Sequence, residues 1–293
     1  SGRPRVIDVF VRTNVRLVDR RGEQDRDTML AGIIARGEKT LVYTLARAHS
    51  VEMAQNLRTS TGRDVAYYHG GLPMRVREVL EQMFADGKIG VMVVADGLDE
   101  TAVPGDVRQV ALLGLPQTAA ELVEQIGTAG MDGRSSQATL LYAKLDLEAA
   151  RASLAERNPT RDMLTAIYRA VREHVVKDKF ASWPDPGLTE ALGAVASPRV
   201  IGIGLDVLAE AGVIQREYEG EHWRITLTNS SRRELSTSLR YAEGEREREA
   251  LAELEHFAFG PLSEILKAVA GPTAGIRDQG TRISKTGETG KTG

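Results

Sequence analysis

Ile89-Gly90-Val91-Met92-Val93-Val94-Ala95 is apolar almost throughout. A strand with one wet face alternates polar and apolar residues, whereas a run like this one suits a strand covered on both faces of a parallel sheet. Working outward, the pattern alternates. Upstream, a helix over Pro73–Ala85 follows a strand over Val65–Tyr68. Before those come a helix over His49–Thr59 that ends near Gly62, and an apolar run over Thr40–Ala46. Further back, Gly37 stops a helix over Glu23–Arg36, a charged stretch precedes it, and Val6–Thr13 reads as a strand. Downstream lie strand patterns over Val107–Leu113 and Ala138–Ala143, with a helix over Thr118–Ile126 between them. Strands alternating with helices predict an α/β unit with a parallel sheet and right-handed crossovers.

After about Leu147 the pattern changes. Ala149–Glu156 reads as helix, and Asn158-Pro159-Thr160 caps another that runs to about Val176. Trp183-Pro184-Asp185-Pro186-Gly187 reads as a loop, followed by short helices over Leu188–Val195 and Pro198–Ala211. Ser197 is a good N-cap for the second, with proline in the favoured first position. Val213–Tyr218 and His222–Thr228 flank Glu219-Gly220-Glu221 as a hairpin. Helices closing on a hairpin predict an α+β winged helix, with Pro198–Ala211 in the place of the recognition helix. The expected organisation is a parallel-sheet lobe over 1–148, a winged helix over 149–229, a helical segment over 230–270 and a disordered tail over 271–293. The dense opposite charges of Arg240–Glu249 suit a solvated helix, and the Gly-, Thr- and Lys-rich tail cannot bury a core.

Composition bounds the chemistry. Hydrophobic residues make up 42% and charged residues 27% of 293, the profile of a soluble globular chain with room for two compact domains. With no cysteine, disulfides and thiolate metal sites are excluded, and five scattered histidines (His49, His69, His174, His222, His256) lack metal-ligand spacing, so no metal is expected. No apolar run approaches a membrane span, no signal peptide is evident, and the cytoplasm is the default address. The Ser1-Gly2-Arg3-Pro4 start suggests an excised fragment. The net charge of −3 does not advertise nucleic-acid binding, although Arg3, Arg5, Arg12, Arg16, Arg20 and Arg21 outnumber Asp8 and Asp19 near the N-terminus.

Four motifs fall in order across the α/β unit. They are Leu41-Val42-Tyr43-Thr44 with Arg47 and the Glu52–Leu57 helix, and Tyr67-Tyr68-His69-Gly70-Gly71-Leu72 with Arg75 and Arg77. Then come Phe84, Gly87 and Val91–Ala95 leading to Pro104-Gly105-Asp106-Val107-Arg108, and last Glu124-Gln125-Ile126-Gly127-Thr128-Ala129-Gly130-Met131-Asp132-Gly133. Together they resemble the second RecA-like lobe of RecQ-type superfamily 2 DNA helicases. The winged helix stands where that family carries one. The resemblance implies nucleic-acid contacts at Arg47, His69, Arg75 and Arg77, with Arg199 added from the presumed recognition helix. It implies an arginine-finger motif over Gln125, Gly127, Thr128, Gly130, Met131 and Asp132. In the family two arginines there neutralise charge on the γ-phosphate of ATP, and such a finger is worth about 10³–10⁵ in rate in related systems.

Here the two finger positions are Thr128 and Met131, neither of them cationic. Arg134 is a possible substitute three residues on. Asp96, Asp99 and Glu100 stand where the family has small and aromatic residues, and would repel phosphates. No phosphate loop or DExH box occurs, so ATP and magnesium are expected only if a first lobe is supplied upstream. Ser238-Leu239-Arg240-Tyr241-Ala242-Glu243-Gly244-Glu245-Arg246-Glu247-Arg248 resembles the end of some bacterial RecJ-type single-strand exonucleases, which carry a helicase-like extension. The expectation is therefore a non-catalytic module that positions DNA, single-stranded by preference, or docks another repair protein. The alternative is a fragment of a working helicase. His69-Gly70-Gly71 reads either as a bare turn or as a DNA contact. The winged helix, with eight Lys/Arg against ten Asp/Glu over Pro159–Asn229, reads either as a DNA or as a protein contact. Trp183 and Trp223 read as anchors in preference to stacking platforms.

Overall fold

The computed structural model describes residues 13–193, 196–228 and 234–270. The strand expected over Val6–Thr13 and the tail from Gly271 therefore lie largely or wholly outside the described residues. The first unit contains strands β1 (Val15–Asp19), β2 (Thr40–Tyr43), β3 (Val65–Tyr68), β4 (Val91–Val94), β5 (Gln109–Leu112) and β6 (Ser136–Leu140). Helices α1 (Arg26–Ile34), α2 (Arg47–Thr61), α3 (Met74–Ala85) and α4 (Ala119–Gly127) connect them. All pairings are parallel, in the order β1-β6-β5-β2-β4-β3.

The uniform apolarity of Val91–Val94 has the expected cause, because successive side chains enter two different cores. Met92 and Val94 join Leu41, Tyr43, Val110 and Leu112 on one face, under α3 and α4. Val91 and Val93 join Val42 and Ala111 on the other, under Leu30 and Ile34 of α1 and Met53 and Leu57 of α2. The unit is a RecA-like lobe.

One expectation is corrected at the sheet's edge. The stretch read as merely charged forms β1, pairing Val15–Asp19 with Ser136–Leu140. An edge strand needs a partner on one side only and tolerates exposed charges, so Arg16 and Asp19 did not betray it.

Helix α5 (Lys144–Arg157) begins earlier than the sequence pattern suggests, and α6 (Arg161–Asp178) follows with Thr160 as its cap. The stretch expected to be a loop begins with the end of a short strand, β7 (Ala181–Trp183), and ends in the first turn of α7 (Pro186–Leu192). Then come α8 (Pro198–Glu210) and the hairpin of β8 (Ile214–Glu219) and β9 (His222–Leu227). The result is a group of helices on a small antiparallel sheet ordered β7-β9-β8. Its separate core includes Leu164, Ile167, Leu188, Ile201, Leu205 and Ile225.

The C-terminal helical segment is not an independent, solvated element. It divides into α9 (Leu239–Ala258) and α10 (Leu262–Ala270). Tyr241, near the start of α9, packs on the small unit's core, whereas Leu254, Ala258 and Ile265 are fully buried in the core of the lobe. Arg21 fastens the junction: its Nη1 donates to the Ala258 and Gly260 carbonyls at 2.7 and 2.9 Å, and its Nη2 pairs with Asp19 at 2.7 Å. Thus α9 ties the two units together.

Candidate nucleic-acid interface and finger loop

Two groups of functional candidates lie at opposite ends of the sheet. Arg47, His69 and Asp96 follow the C-terminal ends of the adjacent strands β2, β3 and β4. In open α/β sheets this edge is where ligands bind. The finger loop, 128–135, instead leads into the start of β6, beside the start of β5.

At the first group, Arg47 opens α2, whose N-terminus has no side-chain cap. Its Nε and Nη2 donate to Asp96 Oδ2 at 2.9 and 2.8 Å, and the Gly70 N–H donates to Asp96 Oδ1 at 2.5 Å. Burial opposes ionisation of Asp96. The hydrogen bonds from Arg47 and Gly70, with the Arg47 and His69 charges, outweigh it and hold the carboxyl below its usual range. The acidic loop makes specific contacts: Asp96 joins two loops, and Asp99 caps the turn at Glu100–Ala102 by accepting from the Thr101 N–H at 2.8 Å.

The backbone around Gly70 is crowded. A Cβ on Gly97, where φ is +74°, would lie 2.9 Å from Gly70 Cα, and one on Gly71 would lie 2.9 Å from Arg47 Nη1. Behind this layer the Tyr68 hydroxyl donates to Glu81 Oε1 at 2.5 Å, and burial followed by Glu81 pushes its pKa up to about 12. His69 stacks on Tyr67 with centroids 5.9 Å apart. His69 Nδ1 and Arg77 Nε are buried without a partner. Arg75 is exposed on α3. Arg47, His69 and Arg77 are thus gathered around one loop cluster. Among the described residues no ion pair holds Arg75, Arg77 or Arg199.

At the finger loop the substituted residues point inward. Thr128, which caps α4, is 2% exposed; its Oγ1 donates to the Gln125 carbonyl at 2.7 Å and accepts from the Tyr43 hydroxyl at 3.3 Å. Met131 is half-buried and packs on the lobe's core. Gly130 has φ +59°, and a Cβ there would meet Ser136 Oγ at 2.5 Å, the Arg134 carbonyl at 2.6 Å and Asn14 Nδ2 at 2.7 Å. Asn14 donates to the Gly130 and Arg134 carbonyls, each at 2.8 Å. Asp132 accepts a short hydrogen bond from Arg108, while the Arg134 side chain is 83% exposed. Asn14 and Tyr43 had no sequence signal as parts of this loop, since their partners lie more than 80 residues away.

Arg199 is exposed at the start of α8, but the rest of that helix is largely covered. Val200, Ile201, Gly204, Leu205, Val207 and Leu208 are buried, and Ile203 and Val207 face Asn158, Pro159 and Tyr241 from the α5–α6 junction and α9. Asp206 pairs with Arg216 and Arg240, and Glu210 with Arg240. Trp183 packs near Gly202 and the small core. Trp223 lies beside Tyr218, with ring centroids 5.1 Å apart, and under Arg216.

Residues 25–133 match the family model described as the helicase conserved C-terminal domain. The chain is 27% identical over 139 residues to a probable ATP-dependent DNA helicase RecS of Bacillus subtilis, covering 47% of this chain and 28% of that protein. It is 26% identical over 141 residues to the ATP-dependent DNA helicase RecQ of Haemophilus influenzae, covering 48% and 23%. It therefore spans only about a quarter of the length of these relatives. Similar solved structures include the C-terminal domain of the DEAD-box protein Dbp5, with TM-score 0.40, 20% identity and coverage of 48% and 83%. Another is the E. coli DEAD-box protein SrmB bound to regulator of ribonuclease activity A, with TM-score 0.39, 20% identity and coverage of 44% and 77%. Over residues 25–133 the lobe is thus similar to a helicase C-terminal domain, and its sequence is similar to those of RecQ-type DNA helicases.

Proposed function

We propose that this chain is the helicase-like C-terminal region of a DNA repair or recombination protein, one that holds nucleic acid but supplies no finger cation for ATP hydrolysis. The observation that carries this reading is the fate of the two finger positions. Thr128 is bonded inside the lobe to Tyr43 and Gln125, and Met131 packs into the core. A side chain working on a phosphate must reach solvent carrying a positive charge; neither residue is cationic, and Thr128 is closed off from solvent as well.

Nucleic-acid binding is supported by the cations at the C-terminal strand ends and by the RecQ-like sequence. The ligand we assign is DNA, single-stranded by preference, gripped by Arg47, His69, Arg75 and Arg77. We read the second unit as a winged helix. Because its α8 is covered, Arg199 and the β8–β9 hairpin are what it offers a ligand, and another repair protein is the alternative occupant. The Ser238–Arg248 signature supports a RecJ-type exonuclease as the parent protein and, with it, a cytoplasmic setting. Among the described residues no helix is long and apolar enough to cross a membrane.

A second reading has its own support. The curated relatives above are ATP-dependent DNA helicases, and Arg134 is a largely exposed cation in the finger loop. In that reading an upstream first lobe would bring ATP and magnesium. One pair of measurements separates the two. The first reading expects salt-dependent binding of a single-stranded oligonucleotide that weakens in Arg47→Ala and Arg77→Ala. It also expects no DNA-stimulated ATP hydrolysis by this chain, alone or in its full-length parent. Hydrolysis that Arg134→Ala abolishes would establish the second reading.

A further inference from the structure

Asp96 stands among groups suited to a different anion. Three N–H donors converge on its carboxylate: the Gly70 backbone N–H on one oxygen, Arg47 Nε and Nη2 on the other. The uncapped first turn of α2 begins at the same arginine and adds the positive end of a helix dipole. A backbone N–H plus a guanidinium is a donor set that suits two oxygens of a phosphate as well as those of a carboxylate. Glycines at 70, 71 and 97 remove the side chains that would keep an anion away from the backbone, and a Cβ on Gly70 would already lie 3.3 Å from Asp96 Oδ1. Close by, His69 Nδ1 and Arg77 Nε have hydrogen-bonding capacity that nothing uses.

The pair is also shallow. The side chains of Arg47 and Asp96 are 57% and 45% exposed, so an incoming anion can reach the guanidinium without opening the fold. An ion pair this exposed holds its partner by only about fivefold or less. Asp99, the next carboxylate along the loop, is turned to Thr101. Asp96 is therefore the carboxylate seated on these donors.

We propose that the Gly70 N–H and the Arg47 guanidinium form a phosphate subsite which Asp96 fills from within, so that a phosphodiester of single-stranded DNA binds there only by displacing it. The inference rests on the nucleic-acid reading above for its ligand, but not for the subsite itself. It makes Asp96 a built-in competitor that lowers affinity for DNA, while the same contact keeps the loops at β3 and β4 in register when DNA is absent.

The test uses the whole chain with Asp96→Ala and Asp96→Asn. The second keeps an oxygen for Gly70 and so maintains the loop if the first does not fold. Inorganic phosphate is titrated while the Gly70 amide is followed by NMR, and single-stranded oligonucleotide binding is measured by anisotropy over a range of salt. The expected result is that phosphate moves the Gly70 amide in both variants at a concentration up to about fivefold lower than in the parent. Oligonucleotide affinity should rise by about two- to fivefold. The salt slope should steepen by about 0.7, the share of one single-strand phosphate. Adding Arg47→Ala to Asp96→Ala should cancel both gains. No response of the Gly70 amide in the Asp96 variants overturns the subsite, and an equal response in parent and variants overturns the competition by Asp96. If the parent binds DNA through Arg47 and the Asp96 variants bind no tighter, the self-competition is wrong and the nucleic-acid reading stands. If phosphate is captured but neither protein holds DNA, the nucleic-acid reading and the ligand assigned here both fail.

Discussion

Replacing Thr128 by arginine, the residue type that the family resemblance puts at this position, should damage the lobe without restoring a finger. Thr128 is 2% exposed, and its hydroxyl sits between the Gln125 carbonyl and the Tyr43 phenol. Burial raises the Tyr43 phenol well above its usual pKa, so at neutral pH the ring presents only a neutral hydroxyl and no counter-charge. An unpaired guanidinium forced among these groups costs about 3–5 kcal/mol. Met131→Arg, at a half-buried position, should cost less, about 1–2 kcal/mol of lost packing. A milder pair gives the control. Thr128→Val strands the buried Tyr43 hydroxyl at about 1–3 kcal/mol, whereas Tyr43→Phe with Thr128→Val removes both partners. The double variant should therefore recover about 0.5–1.5 kcal/mol relative to additivity. Urea unfolding followed by circular dichroism, with ATP hydrolysis measured in parallel, reads these four variants together with Tyr43→Phe alone and the parent. Thr128→Arg within about 0.5 kcal/mol of the parent, well under the buried-charge cost, would refute the claim that this position is closed.

Gly130→Ala combines a left-handed backbone with contacts of 2.5–2.7 Å from Ser136, Arg134 and Asn14, and should lose about 2–4 kcal/mol in the same unfolding assay. Arg21→Ala should cost about 1.5–3 kcal/mol by freeing the Ala258 and Gly260 carbonyls. Amide hydrogen exchange in α10 should rise selectively. The carboxyls of Asp19, Asp96 and Asp132 are all held below their ordinary value, Asp19 and Asp132 chiefly by hydrogen bonds from Arg21 and Arg108 and Asp96 by Arg47 and Gly70 against its burial. Because their folded pKa values are depressed, the stability they contribute is complete above about pH 4 and is lost as the pH falls through the folded values. Carboxyl-carbon NMR titrations should place all three midpoints below those of the unfolded chain.

The lobe was legible where side-chain chemistry had a single explanation. Val91–Val94 are apolar because both faces of β4 are buried, two side chains in each core. Position by position the signal failed wherever a structural role needs little apolar surface. The edge strand β1 carries Arg16 and Asp19, β7 is three residues long, and α9 hides its buried Leu254 and Ala258 within a run of charges. The finger substitutions were readable as identities, but nothing local shows that Thr128 faces Tyr43, since 85 residues separate them. Likewise Arg47 and Asp96 are 49 residues apart and become one site only when β2 and β4 pair.

The second unit shows how a charge count can raise a sound doubt for an incomplete reason. In the sequence, ten Asp/Glu against eight Lys/Arg leave DNA contact open to doubt; in the structure two of those acids on α8, Asp206 and Glu210, are paired with Arg216 and Arg240. What withholds α8 from a groove is cover. Gly204 lies so close to α6 that a Cβ would reach within 2.4 Å of Ile167, while Val207 is buried against α9 and the α5–α6 junction. Uncovering that face requires moving α9, and α9 is anchored by Leu254, Ala258 and Ile265, each fully buried in the other unit's core. Truncating one such leucine typically costs about 2–5 kcal/mol, comparable with much of a domain's net stability. Leu254→Ala should therefore loosen the small unit as well as the lobe. The two would be expected to protect or lose their amides together, as one cooperative body joined through α9.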